Sequence, residues 1–299
     1  KQDYIQTCVP WDFDLGAQCP TLMRCFDDYF GKDDDGEMKA AAIQEFIGYC
    51  LMPHARYKKA LLCVGESNCG KSIIPFIVRL ILGQENIAAV GVQDMDDARK
   101  RAPLLGKLVN MLTELPSDAM IADGGFKTLV STEEPILFDP KNLTPVVDIP
   151  ICKHVIVTNV LPKINDKSKG TFNRLLLIKF NYVIPDRDQD TTIWDKLRQE
   201  TQGILNWAME GAKRLYENNG QFTDPGTEDV RKYRQDQNPM QGFIDDVCEV
   251  DEDYKLGGDS HYRVKSTVFV ERFRSYNGQR WTPQQVFSQL RQPGYDVTK

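Results

Sequence analysis

The chain has 299 residues, 41% hydrophobic and 27% charged, which suffices for a large core and indicates more than one domain. Its net charge of −6 argues against a broad basic surface for nucleic acid, so any such contact requires locally concentrated positive charge. No apolar run reaches membrane-spanning length, no secretory signal is visible, and the eight cysteines lack C-x-x-C spacing, so we expect a cytoplasmic protein without a disulfide framework or zinc site.

Residues 1–58 carry a helical pattern of apolar side chains. Ile43, Phe46 and Ile47 recur at the spacing of one helix face, and Pro53 then ends the segment. This pattern predicts a small helical domain that leads directly into the next part of the chain.

The next segment combines an apolar strand with a phosphate-binding motif. Ala60–Val64 runs into a G-x-x-x-x-G-K-S loop, and a helix follows over Ile73–Leu82. The N–H groups of such a loop and the helix N-terminus form an anion site. We expect Lys71 to reach the β- and γ-phosphates of ATP and the Ser72 hydroxyl to hold Mg²⁺. The predicted nucleotide-binding residues are Gly65, Glu66, Ser67, Asn68, Cys69, Gly70, Lys71 and Ser72.

Glu114 is the predicted carboxylate of this site. It follows the apolar run Leu108–Leu112, which predicts a buried strand, and ligands of parallel sheets collect at the carboxyl ends of strands. Many P-loop enzymes carry an Asp before this Glu, but Thr113 stands here. Either Glu114 alone serves both Mg²⁺ and the attacking water, or Asp118 assists it.

A Pro-rich and charged stretch, 132–150, separates this strand from the next. It holds the short apolar runs Ile136–Phe138 and Val146–Val147, with a turn sequence over Asp139–Asn142. We interpret it as a β-hairpin inserted in the core.

Two more apolar runs, His154–Thr158 and Leu175–Phe180, predict further strands of the same sheet. Asn159 follows the first of them, where an amide can bind the γ-phosphate and the lytic water, although such an Asn is ordinarily a turn residue. Arg174 precedes the second run, either as an arginine finger for a neighbouring subunit or as a surface residue.

The C-terminal third is predicted to hold a helical extension and a separate module. Residues 190–222 are strongly helical, and Thr223–Gly226 reads as a linker. Beyond it, an amphipathic helix, a short strand near Val264 and over Val268–Phe273, and a last helix suggest a winged-helix-like module. The predicted domains are therefore 1–58, 59–185, 186–226 and 227–299.

With these motifs in place, the chain resembles the superfamily-3 helicases of the poxvirus, phage and plasmid primase-helicase type. The resemblance spans nearly the whole chain, and four ordered motifs at such spacings are a more specific signal than the P-loop alone. The segments that resemble these helicases are Gln44–Tyr49, Tyr57–Leu61, Gly106–Glu114, Gly125–Lys127, Val157–Pro162, Gly170–Leu175 and Gly203–Trp207.

The resemblance implies an α/β fold, with a P-loop (AAA+-like) ATPase core, an N-terminal helical domain and a winged-helix-like module. It also implies a homo-oligomeric, usually hexameric, ring that hydrolyses ATP with Mg²⁺ at subunit interfaces. In such proteins the Phe-Lys motif and the following hairpin face the pore, so Lys127 and Lys141 become the candidate DNA contacts. Relatives carry two arginines where this chain has Asn173 and Arg174, and the hairpin sequence also departs from theirs.

The preferred interpretation is the helicase motor of a phage or plasmid replication protein in a bacterial host, acting on single-stranded or forked DNA. The resemblance leads us to expect a primase or polymerase domain upstream, in a longer polypeptide. One alternative is a DNA-stimulated ATPase that loads or remodels without processive unwinding. Another is a small-molecule kinase, which would need an arginine-rich lid and no inserted hairpin.

Overall fold

The computed structural model divides the chain into two compact units, Lys1–Thr227 and Glu228–Lys299. Within the described part of the chain, no helix is both long and apolar enough to cross a membrane. The structure describes residues 7–116, 120–121, 123–131, 133–164, 169–225, 227–237, 239–248, 264–278 and 280–291. Asp118, the predicted assistant of Glu114, lies outside these described residues.

The first unit alternates helices and strands. Its helices are α1 (Pro20–Phe30), α2 (Gly36–Cys50), α3 (Ile73–Leu82), α4 (Asp123–Ser131), α5 (Lys169–Asn173), α6 (Ile193–Gln199) and α7 (Thr201–Glu217). Its strands are β1 (Ala60–Gly65), β2 (Ile87–Ala88), β3 (Val109–Leu112), β4 (Met120–Ile121), β5 (Ile136–Phe138), β6 (Val146–Asp148), β7 (Lys153–Thr158), β8 (Lys163–Ile164) and β9 (Leu175–Phe180).

A five-stranded parallel sheet forms the centre of this unit, with strand order β2-β3-β7-β1-β9. Side chains on both faces of β1, β3 and β7 are buried, which explains why these strands read as continuous apolar runs. The predicted α/β fold with a parallel sheet is confirmed. Because all five strands run the same way, the carboxyl ends of β1, β3 and β7 meet at one edge.

Helices α2 and α7 bring distant parts of the sequence into this unit. A Cβ at Gly48 would lie 2.3 Å from a backbone nitrogen of α7, so only glycine allows this approach. Beside it, the buried carboxylate of Glu45 accepts hydrogen bonds from Arg214 Nε (2.7 Å) and from Thr223 N (2.7 Å). The predicted N-terminal domain and helical extension therefore pack as parts of one unit with the sheet.

The predicted β-hairpin is present. Strands β5 and β6 pair antiparallel, with Leu137 opposite Val147, and Asn142 in the turn adopts a φ of 62°. The turn and β6 are largely exposed, including the apolar side chains of Leu143 and Val147. A second small sheet pairs β4 with β8 in parallel.

The second unit is helical in its described residues. Helices α8 (Thr227–Gln237, beginning at the boundary), α9 (Pro239–Val247), α10 (Ser266–Asn277) and α11 (Pro283–Arg291) compose it. The strand predicted near Val264 and over Val268–Phe273 is wrong, because the latter segment belongs to α10. Its apolar residues follow the helical period, so Phe269 and Phe273 share one face and both contact Phe243, with ring centroids 5.2 and 5.5 Å apart. Residues 249–263 lie outside the described residues, and the winged-helix arrangement stays a prediction.

We expect removal of Glu228–Lys299 to leave the first unit folded. Each unit has its own cluster of buried apolar side chains, so the deletion should not open the core around the sheet. Thermal unfolding of the truncated protein, followed by circular dichroism, should remain a cooperative transition. Insolubility, or a broad transition without a midpoint, would show that the second unit is required for folding of the first.

Candidate active site

The G-x-x-x-x-G-K-S loop connects β1 to α3 at the carboxyl edge of the sheet. Asn68 and Gly70 adopt φ values of 60° and 89°, which bend the backbone into a concave turn. A Cβ at Gly70 would lie 2.6 Å from the Tyr29 ring, so α1 packs directly on the loop. The Asn68 carbonyl accepts a hydrogen bond from Ile184 N at 2.9 Å, which fixes the loop from its other side.

Lys71 is buried and its ammonium group binds acceptors within the loop itself. Lys71 Nζ donates to the carbonyl of Gly65 at 2.7 Å and to that of Glu66, and it lies 3.2 Å from Cys69 Sγ. The two carbonyl acceptors carry no charge. A phosphate oxygen is a stronger acceptor for an ammonium group, since charge-assisted hydrogen bonds are about twice as strong as neutral ones.

Glu114 and Asn159 lie beside this loop. Leu112 pairs with Ile156 and Val64 pairs with Thr158, so the segments that follow β3, β7 and β1 emerge at the same level of the sheet. Together they line a cavity of about 560 Å³. Its lining includes Ser67, Asn68, Cys69, Gly70, Lys71, Ser72, Thr113, Glu114, Thr158 and Asn159.

Gly65 and Glu66, unlike the other six predicted loop residues, do not line the cavity. Instead their carbonyls hold Lys71. The structure thus brings six of the eight predicted loop residues to the cavity with Glu114 and Asn159.

The donor groups of this cavity fit a magnesium ion bound together with phosphates. Ser72 makes no side-chain capping bond to α3, and Glu114 is exposed across the cavity. No group of three His, Cys, Asp or Glu side chains able to hold a metal ion occurs within the described ranges. Magnesium ordinarily takes one or two protein oxygens and completes its shell with phosphates and water, so a hydroxyl and one carboxylate suit it.

Arg174 lies at the opposite edge of the sheet. Its carbonyl accepts a hydrogen bond from Ala60 N at 2.7 Å, at the amino end of β1. Strand β1 runs from Ala60 to Gly65, and five strand steps separate these two residues by roughly 16 Å. This exceeds the reach of an arginine side chain, so Arg174 does not contribute to the cavity of its own chain.

Lys127 and Lys141 lie on two elements that pack against one segment, 95–101. Lys127 is half-buried on α4, and a Cβ at the neighbouring Gly125 would lie 2.6 Å from the backbone of this segment. Lys141 is exposed in the hairpin turn. Arg101, within the segment, donates from Nη2 to the Leu137 carbonyl of β5 at 2.8 Å.

A second bond fixes the hairpin to the same segment: Arg99 Nε donates to Asp139 Oδ2 at 2.8 Å. Helix α4 and the hairpin are therefore held by the same short stretch of chain. The structure does not bring Lys127 or Lys141 into the cavity around the loop.

The sequence did not identify Thr158 and Tyr29 as residues of the site. Thr158 is buried, and its hydroxyl donates to the Val160 carbonyl at 3.0 Å, which shapes the turn that carries Asn159. Tyr29 covers the loop, and burial raises the pKa of its phenol well above the ordinary value, so it stays neutral. A polar residue at the end of a buried strand could have indicated Thr158, whereas nothing local indicates Tyr29.

His154, within β7, is a packing residue. Burial, and then the charge of Lys153, lower the pKa of His154 to about 4, so the ring is neutral at physiological pH. Its Nδ1 lies 3.3 Å from Asn110 Nδ2, inside the sheet.

Comparison with known proteins finds a match to a family model and a similarity in fold to solved structures. Residues 63–174 match a family of unknown function, DUF5906. The whole fold is similar to that of the C-terminal region of NrS-1 in its apo form, at 14% sequence identity over 94% of this chain and 72% of that one. Three structures of that region give TM-scores of 0.56, 0.57 and 0.55. The chain therefore shares its fold with the NrS-1 C-terminal region.

Proposed function

We propose that this protein is an ATP-driven DNA helicase motor that works as a ring of identical subunits. The observation that carries the proposal is the convergence of the P-loop, Glu114 and Asn159 on one cavity at the carboxyl edge of a parallel sheet. These groups match the parts that phosphoryl transfer to water requires: a phosphate cradle, a carboxylate and a polar group for the attacking water.

In this proposal the side chains of the cavity take the following roles. Lys71 leaves its loop carbonyls and pairs with the β- and γ-phosphates, and Ser72 and Glu114 hold Mg²⁺, which neutralises the phosphate charge when bound. Glu114 also accepts the proton of the attacking water, and Asn159 orients that water by hydrogen bonding. The turn fixed by Thr158 keeps Asn159 in place.

The position of Arg174 supports the ring in this proposal. A transferring phosphoryl group needs positive charge beyond that of one lysine and one metal ion, and an arginine finger can provide it in trans. Since Arg174 cannot reach the cavity of its own chain, we assign it to the cavity of the adjacent subunit. Each site is then complete only at an interface.

The DNA contacts in this proposal are Lys127 on α4 and Lys141 on the hairpin. The hairpin combines an exposed cation in its turn with exposed apolar side chains, of which Leu143 is 70% and Val147, on β6, is 64% accessible. Cations bind the phosphates of a single strand, and apolar groups contact its bases, which suits sequence-independent binding. Segment 95–101 contacts both elements, which supports assigning the two lysines to one DNA path.

We expect single-stranded DNA to stimulate ATP hydrolysis by the wild-type protein, and Lys127→Ala and Lys141→Ala to weaken this stimulation. Each lost phosphate contact should reduce the slope of log affinity against log salt by about 0.7. DNA binding is measured by fluorescence anisotropy over a salt titration, with Lys213→Ala, an exposed lysine of α7, as the matched control. A variant whose affinity and slope equal those of the wild type would remove that lysine from the DNA path.

Strand displacement on a forked duplex then separates the motor from a loader or remodeller. A motor displaces the strand in proportion to ATP hydrolysed. DNA-stimulated hydrolysis without displacement would favour the loader, and hydrolysis without any response to DNA would overturn both.

A further inference from the structure

A second cavity, of about 920 Å³, lies against the P-loop on the side of α1. Asn68, Gly70 and Ser72 line this cavity and also the cavity that holds Glu114. A ligand bound across these three residues therefore has one part in each cavity. The volume falls within the range of small-molecule sites, about 300–1,000 Å³.

The wall opposite the loop comes from α1 and from residues 182–194. These two segments are far apart in the sequence but are tied to the loop by direct contacts. Ile184 N donates to the Asn68 carbonyl at 2.9 Å, and the Tyr29 ring packs on Gly70. The cavity is thus built around the loop, so its occupant contacts the same backbone that cradles the phosphates.

Three aromatic side chains line this cavity, and Tyr182 is the one best placed to bind a flat ligand. Tyr29 packs on Phe180, and Trp194 packs on Phe76, with ring centroids 6.3 and 4.8 Å apart, so both are engaged in the core. Tyr182 is half-buried and contacts the Lys32 ammonium, which lies 4.3 Å from its ring centroid. This contact can yield to a ligand without opening the core.

The charged groups of the cavity favour the uncharged part of a nucleotide. Four carboxylates, those of Asp27, Asp28, Asp188 and Asp190, outnumber the two cations, Arg24 and Lys32, at its exposed wall. They repel phosphates and accept hydrogen bonds from hydroxyl and amino groups. Lys71, by contrast, lines only the other of the two cavities. The excess of carboxylates in this cavity, and Lys71 in the other, favour placing the nucleoside here and the phosphates there.

We propose that this cavity binds the base and ribose of the nucleotide, with Tyr182 stacking on the base. The inference rests on the proposed function, because it places the rest of the ligand whose phosphates the loop holds. The ribose hydroxyls lie toward the carboxylates of α1, and the base lies against residues 182–194. Tyr182 thereby contributes to affinity for the nucleoside and not for the phosphates.

The test compares ATP with inorganic tripolyphosphate, a ligand that has the phosphates without the nucleoside. We expect Tyr182→Ala to raise the Kd for ATP at least about fivefold, since base–aromatic stacking is commonly worth that much or more. The Kd for tripolyphosphate should stay at its wild-type value. Tyr182→Phe, which keeps the ring, should bind ATP like the wild type. Tyr216→Ala, at an exposed tyrosine of α7 outside the cavity, is the matched control.

Each other outcome has a definite meaning. Wild-type ATP affinity in Tyr182→Ala overturns the inference and leaves the proposed function standing. An equal loss of ATP and tripolyphosphate binding shows that Tyr182 acts through the loop, which also overturns it. A wild-type protein that binds neither ligand overturns the proposed function and the inference together.

Discussion

Replacing Lys71 by Ala should lower ATP turnover at least about a hundredfold, because preorganised positive charge at the transferring phosphoryl group is usually worth that much. Lys71 is the lysine that lines the cavity with Glu114, and its Nζ lies 2.7 Å from the Gly65 carbonyl at the base of the loop. Release of phosphate under saturating Mg²⁺ and ATP measures the effect.

Lys213→Ala serves as the control for this variant, because it removes the same charge from an exposed position on α7. Circular dichroism should show that the Lys71→Ala protein remains folded. The Gly65 and Glu66 carbonyls lose a donor but lie next to a cavity that water can enter. Turnover close to the wild-type rate in a folded Lys71→Ala protein would contradict the assignment of this loop to ATP hydrolysis.

Replacing Arg174 by Ala should lower turnover roughly a thousandfold or more while leaving ATP binding in place. The expectation follows from the roughly 16 Å of β1 that separates Arg174 from the P-loop of its own chain. An arginine that acts across an interface contributes to the transition state of its neighbour's reaction and adds little to the binding of ATP. Arg79→Ala, at an exposed position on α3, is the control.

Mixing the two inactive proteins gives the sharper result. Lys71→Ala subunits carry an intact Arg174, and Arg174→Ala subunits carry an intact P-loop. In a mixed ring, some interfaces pair an intact loop with an intact arginine, so activity should partly return. Mixing itself can be checked by energy transfer between labelled subunits. If subunits mix and no activity returns, the finger is another residue and the interface assignment of Arg174 is wrong.

Patterns local in the sequence predicted the sheet and the loop well. The strand Leu175–Phe180 and the helix Ile73–Leu82 have the bounds that their apolar runs indicate. Both are buried, so composition alone distinguishes them from their surroundings. The hairpin was equally predictable, because its turn sequence separates two short apolar runs.

Two features could not be predicted for physical reasons. Val268–Phe273 is rich in β-branched and aromatic residues, which favour strands. In the structure this segment is helical, and Phe269 and Phe273 pack from one helix face on Phe243. The cavity beside α1 is formed by α1 and residues 182–194, which both contact the loop: Ile184 N donates to the Asn68 carbonyl, and Tyr29 packs on Gly70. No spacing rule connects segments separated by the whole sheet.

The hydrogen bonds from Lys71 to the carbonyls of its own loop compete with any phosphate that binds the same ammonium group. Any nucleotide that enters must displace the Gly65 and Glu66 carbonyls before it gains the ammonium group. This lowers affinity for ATP and ADP alike, but ADP, which lacks the γ-phosphate, offers the weaker replacement. In the proposed cycle, the lysine would return to the loop after hydrolysis, and that return would favour departure of the product. For the proposed motor, which must empty its site once in every cycle, such a loop would favour turnover at the expense of tight binding.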